Sequence, residues 1–337
     1  MSEPSAKRKR TDDERTAEAV RSDIWLDDGS IILQADNTQF KFYKGLLARH
    51  SQIFSDMIAV VQPQNDEHTV EGCTVVTLSD SAQDVRFMLL WLLDPRSYTL
   101  KPTVSHILSA LRMGHKYMVV PLWDYSVERL RAEFPTTLEA FYNQDHKFWS
   151  AVHSEDNQND ILRLSEAVRD AGLETLLPMV YYRALLECPL KTISKGGIGN
   201  LAGLPCDPAH ASLDTRVVLL TARGQIIAEF RIMDYWWTRL AEADDCEQEE
   251  ECEEARQRIQ LMAWSQCSPR TSSDPALRIL RRRTQEDQTK LKVHGLCKDC
   301  IDEAEDVYKG NQESFWQELP LYFGLGVWED LKDYSLN

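Results

Sequence analysis

SDIWLDDGSIILQADNTQFKFYKGLLARHSQIFSDM, at residues 22–57, is the stretch that decides the fold. Within it, residues 31–33 form a short apolar run. In residues 38–42, Thr38, Phe40 and Phe42 alternate with the polar residues Gln39 and Lys41. Asp36 and Asn37, which lie between these two segments, are residue types that favour turns. The pattern therefore predicts a β-hairpin whose second strand has one buried face.

Two helices are predicted directly after this hairpin. Leu46 and Leu47 lie on the first helix, and Ser51 is placed to cap the second by accepting a hydrogen bond from its first turn. Phe54 and Met57 follow at helical spacing and are expected to be buried.

The same residues resemble the beginning of a BTB/POZ domain of the kind abundant in mushroom-forming fungi. That family has an aspartate near its start, a strand ending in an aromatic-x-x-His/Lys pattern, and then an "LLA..S..F..M" helical pair. Tyr43 differs from the family, which commonly has histidine before the lysine. The positions that match are Asp23, Phe40, Lys44, Leu46, Leu47, Ala48, Ser51, Phe54 and Met57.

A second block of sequence resembles the rest of that fold. Residues 74–78 are rich in β-branched side chains and predict a strand, with Ser79 and Asp80 as helix-capping residues. Residues 85–93 are almost all apolar and predict a helix buried on most sides. The later segment ALRMGHKYMVVPLWDYSVERLRAEFP is similar to the closing helices of the fungal subfamily. It matches at Gly114, Lys116, Tyr117, Leu122, Leu130, Phe134 and Pro135.

The resemblance covers residues 22–135 and implies a BTB/POZ domain, in which a small sheet is covered by helical hairpins. We expect a sheet of about three strands. We also expect one shared core, which contains Phe40, Phe54, Leu89 and Leu108.

Residues 136–337 are predicted to form a mostly α-helical domain, because apolar side chains recur at helical spacing through most of it. The chain is therefore assigned to the α+β class. A loop is predicted at residues 189–208, which are rich in Pro and Gly, and an exposed acidic loop at residues 242–254, which contain nine acidic side chains. Residues 297–331, with a Cys-x-x-Cys pair and several tryptophans, resemble the carboxy-terminal end of the fungal BTB proteins.

Composition narrows the classes of partner. A net charge of −16 argues against nucleic acid and anionic membranes as partners of the body of the protein. Eight cysteines in 337 residues do not form a secreted disulfide framework and instead predict free thiols.

Residues 1–21 are predicted to be a disordered tail, in which Lys7 to Arg10 form a basic cluster of the nuclear-localisation type. The expected location is the nucleus, the cytoplasm or both.

One group of residues has the spacing of a metal site. His294, Cys297 and Cys300 form a His-x-x-Cys-x-x-Cys pattern, and Cys267 lies upstream. Thiolate and imidazole are preferred zinc ligands, and four such groups complete a closed tetrahedral site. The Cys-x-x-Cys pair also fits simple packing at a helix start, or redox chemistry. Structural zinc is thus one of three interpretations, and no other cofactor is predicted.

No catalytic or nucleotide-binding motif is recognisable in the sequence. The glycine-rich run from Gly196 to Gly203 has one residue too many for the dinucleotide fingerprint, and Pro205 would break the helix that should follow. The basic group formed by Arg278 and residues 281–283 is interpreted as a solvated helix face. The sequence therefore predicts a protein that is not an enzyme.

The BTB/POZ resemblance implies a protein–protein interaction function in one of two forms. One form is an adaptor that binds a cullin scaffold and recruits an unknown substrate to a ubiquitin ligase. The other is a nuclear transcription-regulatory scaffold. BTB domains also self-associate, but residues 16–25 offer few apolar groups, with Trp123 as a candidate for further exposed surface. A weak homodimer is therefore expected.

Overall fold

The computed structural model describes the chain in segments, and all structural statements below concern these residues. The segments are 19–60, 69–98, 101–144, 148–198, 210–240, 243–266, 277, 279–280, 292 and 295–336, with the side chains of 230–240 and 260–266 left out. Several sequence-based predictions lie outside the described residues. They concern the tail up to residue 18, the basic cluster at Lys7 to Arg10, the arginines at 278 and 281–283, Cys267 and His294.

The described residues divide into two compact units. The first contains residues up to 97 together with 116–119, and the second contains 98–115 and everything from 120 onward. Residues 98–115 and 120–135 were predicted to belong to the BTB/POZ domain. The contacts instead group them with the second unit. A BTB/POZ domain ending at residue 135 stays a prediction.

The first unit contains one sheet, in which the predicted hairpin is present. Its second and third strands are antiparallel and pair Ile31 with Phe42 and Ala35 with Thr38. Asp36, in the turn between them, has a φ of +48°. The strands are β1 (Val20–Trp25), β2 (Ile31–Ala35), β3 (Thr38–Phe42), β4 (Thr69–Val70) and β5 (Cys73–Leu78).

The sheet has five strands in the order β1-β3-β2-β5-β4, more than the three or so expected. The central strands β2, β3 and β5 are the predicted ones, and β5 runs parallel to β2. The two additional strands lie at the edges, where one-sided burial is weaker. β1 is mostly exposed and β4 has two residues, so neither shows the alternation on which a strand prediction depends.

Three helices complete the first unit at positions close to those predicted. They are α1 (Lys44–His50), α2 (Gln52–Val60) and α3 (Ala82–Leu93). Ser51 caps α2 as expected, because its Oγ accepts a hydrogen bond from the backbone N–H of Phe54 at 3.0 Å. The cap of α3 is Ser81, which binds the N–H of Asp84 at 3.1 Å, rather than Ser79 or Asp80.

Residues 116–119 return to the first unit and hold α2. The ring of Tyr117 stacks on that of Phe54, with 4.4 Å between centroids and 12° between planes. Ser51 Oγ donates to the carbonyl oxygen of Tyr117 at 2.5 Å. Asp80 accepts hydrogen bonds from the hydroxyl of Tyr117 and, at 2.7 Å, from Lys116 Nζ. The Gly-x-Lys-Tyr block thus contacts the start of α2, 66 residues earlier in the chain.

The second unit is helical, as predicted. Nine helices are assigned within its described part. They are α4 (Val104–Lys116, up to residue 115 in this unit), α5 (Val120–Glu133), α6 (Leu138–Asn143), α7 (Asn157–Asp170), α8 (Leu177–Glu187), α9 (Leu190–Lys195), α10 (Leu213–Leu240), α11 (Glu249–Gln266) and α12 (Lys298–Tyr322).

Two predicted loops of the second unit are partly helical. Residues 189–208 were expected to be a loop, but they contain α9, which ends at Gly196 with a φ of +76°. In the acidic run at 242–254, the acidic side chains of the described residues 243–254 are exposed, as predicted, but α11 begins within the run at Glu249. Carboxylates in a first helical turn interact favourably with the positive end of the helix dipole, which explains why an acidic run starts a helix here.

The core of the second unit includes two residues that the sequence analysis placed elsewhere. Leu108 is 2% exposed and belongs to this core, whereas Phe40, Phe54 and Leu89 are buried in the first unit. The expectation of a single shared core is therefore wrong for Leu108. Trp123 is 3% exposed and packs against Tyr334, so it does not supply the exposed apolar surface expected for self-association.

A buried ion pair lies at the centre of this unit. Arg183 Nη1 is 2.5 Å from Glu133 Oε1, and both side chains are at most 2% exposed. Glu187 binds the Nε of the same guanidinium at 2.9 Å. Glu133 also accepts hydrogen bonds from the backbone N–H groups of Trp149 and Ala151 at 2.6 and 2.7 Å. One carboxylate therefore joins α5, α8 and the segment before α7.

Replacing Phe54 by alanine should lower the free energy of unfolding by about 3–5 kcal/mol, because the ring is 1% exposed and its removal leaves a cavity. Urea denaturation, monitored by circular dichroism, measures this change in the free energy of unfolding. Val60→Ala is the matched control, since Val60 lies on the same helix and is 80% exposed. Equal effects of the two substitutions would contradict the packing described for α2.

Glu133→Ala should lower the free energy of unfolding by about 3–5 kcal/mol, because it leaves the Arg183 charge buried with one partner fewer. Glu128→Ala, on the exposed face of the same helix, should change it by less than about 0.5 kcal/mol. Thermal and chemical denaturation of both variants provide the test. A small effect of Glu133→Ala would show that water reaches the pair.

Candidate metal centre

Four cysteine side chains converge in the second unit. The Sγ atoms of Cys246, Cys252, Cys297 and Cys300 all lie within 4.8 Å of one another. Four thiolates bound to one zinc ion at about 2.3 Å would be separated by about 3.8 Å, from tetrahedral geometry. The four sulfur atoms are thus close to the spacing that a single ion requires, and these residues can hold a metal ion.

Two of the thiols are provided by the acidic run and the start of α11. The backbone N–H of Cys246 donates to the carbonyl of Ala243 at 3.0 Å, which forms a turn just before the helix. Cys252 lies in the first turns of α11, where its N–H donates to the carbonyl of Gln248 at 2.9 Å. The turn and the helix thereby direct two cysteines, six residues apart, to one place.

The other two thiols lie at the start of α12. Cys297 is the N-cap residue, and its Sγ accepts a hydrogen bond from the N–H of Cys300 at 3.4 Å. Gly295 precedes it with a φ of +99°, a conformation that side chains other than glycine rarely adopt. The N–H of Cys297 donates to Cys252 Sγ at 3.3 Å, and this bond connects the two pairs.

Among the described residues, apolar side chains and the guanidinium of Arg256 border the cluster. Ala255 and Leu296 are buried beside Cys252 and Cys300, and Ile259 packs against them. Arg256, which is 5% exposed, donates from Nη1 to Cys300 Sγ at 3.8 Å. A cation next to the sulfur atoms offsets part of the negative charge that thiolate ligands bring to such a site.

The protonation of the thiols follows from this environment. Burial raises the pKa of the Cys300 thiol to about 12, and burial also raises the pKa of Cys252. Burial acts in the same direction on Cys297, but the hydrogen bond from the Cys300 N–H and neighbouring thiols outweigh it and lower its pKa. Buried thiols of this kind lose their protons when a metal cation supplies the compensating charge.

The structure brings together half of the residues proposed from the sequence. Cys297 and Cys300 are in the cluster, whereas Cys267 and His294 lie outside the described residues. Cys246 and Cys252 were missed because they lie in an acidic run and have five residues between them, more than the usual two to four between zinc cysteines. The available signal was the presence of a second cysteine pair about 45 residues upstream of the first.

Comparison with known proteins does not add to this geometry. No protein-family model matches the chain, and a search of curated proteins finds no significant relative. In the described part of the chain, no helix combines the length and the apolar character needed to cross a membrane.

Proposed function

We propose that this protein is a non-catalytic interaction protein of the BTB/POZ type, whose second unit is stabilised by a structural zinc ion. In its main form it is an adaptor that recruits substrates to a cullin ubiquitin ligase. The alternative is a nuclear transcription-regulatory scaffold that acts through the same kind of association.

The observation that carries the BTB/POZ proposal is the contact between the two blocks of sequence that resemble the family. Phe54 and Ser51, from the first block, contact Tyr117, from the second. A hairpin, a helical pair, a parallel strand and a buried helix also occur in the expected order. Residues that match a family pattern at a distance in sequence, and then pack against each other, support a shared fold.

Weak self-association is part of this proposal. The structure describes residues 19–25 of the segment 16–25, and there Ile24 is 3% exposed, whereas Val20 is 63% exposed. Little apolar surface is therefore available on the described part of this segment for the centre of a stable dimer interface. A monomer–dimer equilibrium fits this surface better than an obligate dimer.

Affinity purification of the tagged full-length protein, followed by mass spectrometry, tests the interaction role. Enrichment of a cullin with further ubiquitin-ligase components supports the adaptor form. Enrichment of chromatin regulators without a cullin supports the alternative.

A variant with Lys7 to Arg10 replaced by alanine controls for nuclear import, because it removes the basic cluster and changes none of the described residues. Loss of chromatin partners alone in this variant would connect them to nuclear localisation. The absence of both classes of partner from the wild-type sample would contradict both forms of the proposal.

The zinc proposal rests on the donor set. Sites with four thiolates in a tetrahedral arrangement select zinc or iron, and not calcium or magnesium, which prefer oxygen. Four cysteines also occupy all four coordination positions of a tetrahedrally bound ion. No coordination position is then open for a substrate or a reactive water. The arrangement of Cys246, Cys252, Cys297 and Cys300 therefore supports a structural role for the metal.

Protein purified under reducing conditions should contain about one zinc ion per chain by elemental analysis. Cys300→Ser should lose the ion, whereas Cys188→Ser, a buried cysteine outside the cluster, should retain it. Chelation should lower the melting temperature of the wild-type protein because the metal stabilises only the folded state. Metal-free protein, iron in place of zinc, or an unchanged melting temperature would contradict structural zinc.

A further inference from the structure

The four cysteines of the candidate metal centre differ in burial. Cys252 and Cys300 have no exposed surface. Cys246 and Cys297 are only partly buried, and their Sγ atoms are 3.9 Å apart. The two cysteines of the cluster whose residues are only partly buried are therefore also neighbours, and Cys297 is the less enclosed of the two in the cluster.

The position of this pair in the chain permits it to close. A disulfide requires the sulfur atoms to approach to about 2.05 Å, so each would have to move by about 1 Å. Cys246 lies in the turn before α11, and Cys297 is the N-cap of α12. Both residues are outside the regular part of a helix, where small changes of side-chain and backbone angles break few hydrogen bonds. By contrast, Cys252 and Cys300 lie within helices.

We propose that Cys246 and Cys297 form a peroxide-sensitive pair, whose oxidation to a disulfide releases the metal ion. This inference rests on the zinc site proposed above. It adds regulation to that site, because metal occupancy would then depend on the redox state of two of its four ligands.

The chemistry requires a two-electron oxidant, for which hydrogen peroxide is the simplest example. One thiolate attacks the peroxide oxygen–oxygen bond, which forms a sulfenic acid and releases hydroxide. The second thiolate then attacks the sulfenic sulfur, the sulfur–sulfur bond forms, and a second hydroxide leaves. With two protons from solvent, the two thiolates and one peroxide become one disulfide and two waters.

Oxidation changes the ligands without disconnecting the segments. The ion loses two of four thiolates, and the remaining pair, Cys252 and Cys300, cannot complete a closed site. The new disulfide still connects the turn before α11 to the start of α12, as the metal did before. The metal-free oxidised form therefore keeps this connection, and reduction in the presence of zinc should restore the original site.

The test treats the zinc-loaded full-length protein with hydrogen peroxide. Released zinc is measured with a chromogenic chelator, and disulfides are mapped by alkylation and peptide mass spectrometry. We expect a Cys246–Cys297 cross-link, with about one zinc ion released for each disulfide. Dithiothreitol and added zinc should reverse both changes. Cys73→Ser and Cys188→Ser, which alter buried cysteines outside the cluster, should respond as the wild-type protein does.

Two cluster variants separate the pair from the metal. Cys252→Ser removes a ligand but keeps the pair, so peroxide should still cross-link Cys246 to Cys297. Cys246→Ser should lose the cross-link. Circular dichroism establishes that each variant is folded.

The outcomes distinguish this inference from the zinc proposal. Untreated protein without zinc refutes the metal site and the regulation with it, even if the pair cross-links. Zinc-loaded protein that keeps its ion under peroxide, or that forms a different disulfide, refutes the regulation alone. Zinc release accompanied only by sulfinic acid at Cys297 also refutes it.

Discussion

The second unit depends on the ion pair between Arg183 and Glu133. Two opposite charges that are fully buried are stable only if their remaining hydrogen-bonding groups are also satisfied. Glu133 meets this requirement by accepting the backbone N–H groups of Trp149, Ala151 and Val152. Arg183 meets it in part: it binds Glu187 and lies 4.4 Å from the Trp149 ring centroid, but its Nη2 has no hydrogen-bond partner among the described residues. Apolar residues of equal volume would fill the same space, but they would not fix the backbone of residues 149–152. The pair thereby determines where the chain runs between α5 and α7.

The cysteine cluster faces a different constraint. Its apolar surroundings, as far as the structure describes them, contain few buried side chains, including Ala255 and Leu296. So small a core contributes little hydrophobic free energy, and the residues that it joins are about 45–54 positions apart in the sequence. Small cores are commonly supplemented by disulfides or metal ions. A metal bound by thiols from both segments would provide the missing stabilisation, and the partial exposure of two of those cysteine residues would also make it sensitive to oxidants.

The carboxy-terminal segment shows a third kind of long-range connection. The carboxylate of Asp333 accepts hydrogen bonds from the N–H and hydroxyl of Thr175, and the N–H of Tyr334 donates to the carbonyl of Gly172. Leu336 is buried in the same core. The sequence of these last residues predicts no role for them, because a short extended segment with few apolar side chains has no periodicity. The contacts of this segment are with Thr175 and Gly172, which lie about 160 residues earlier in the chain.

The sequence alone determined those features that depend on neighbouring residues. The hairpin followed from the turn residues Asp36 and Asn37, and the start of α2 followed from Ser51, because turns and caps are formed within a few residues. Tertiary structure decided what depends on distant partners. It placed Leu108 in the second core, buried Trp123, and added Cys246 and Cys252 to Cys297 and Cys300. The physical reason is that periodicity shows which face of an element is apolar but not which partner covers it, and ligand spacing shows a pair but not the second pair that completes the site.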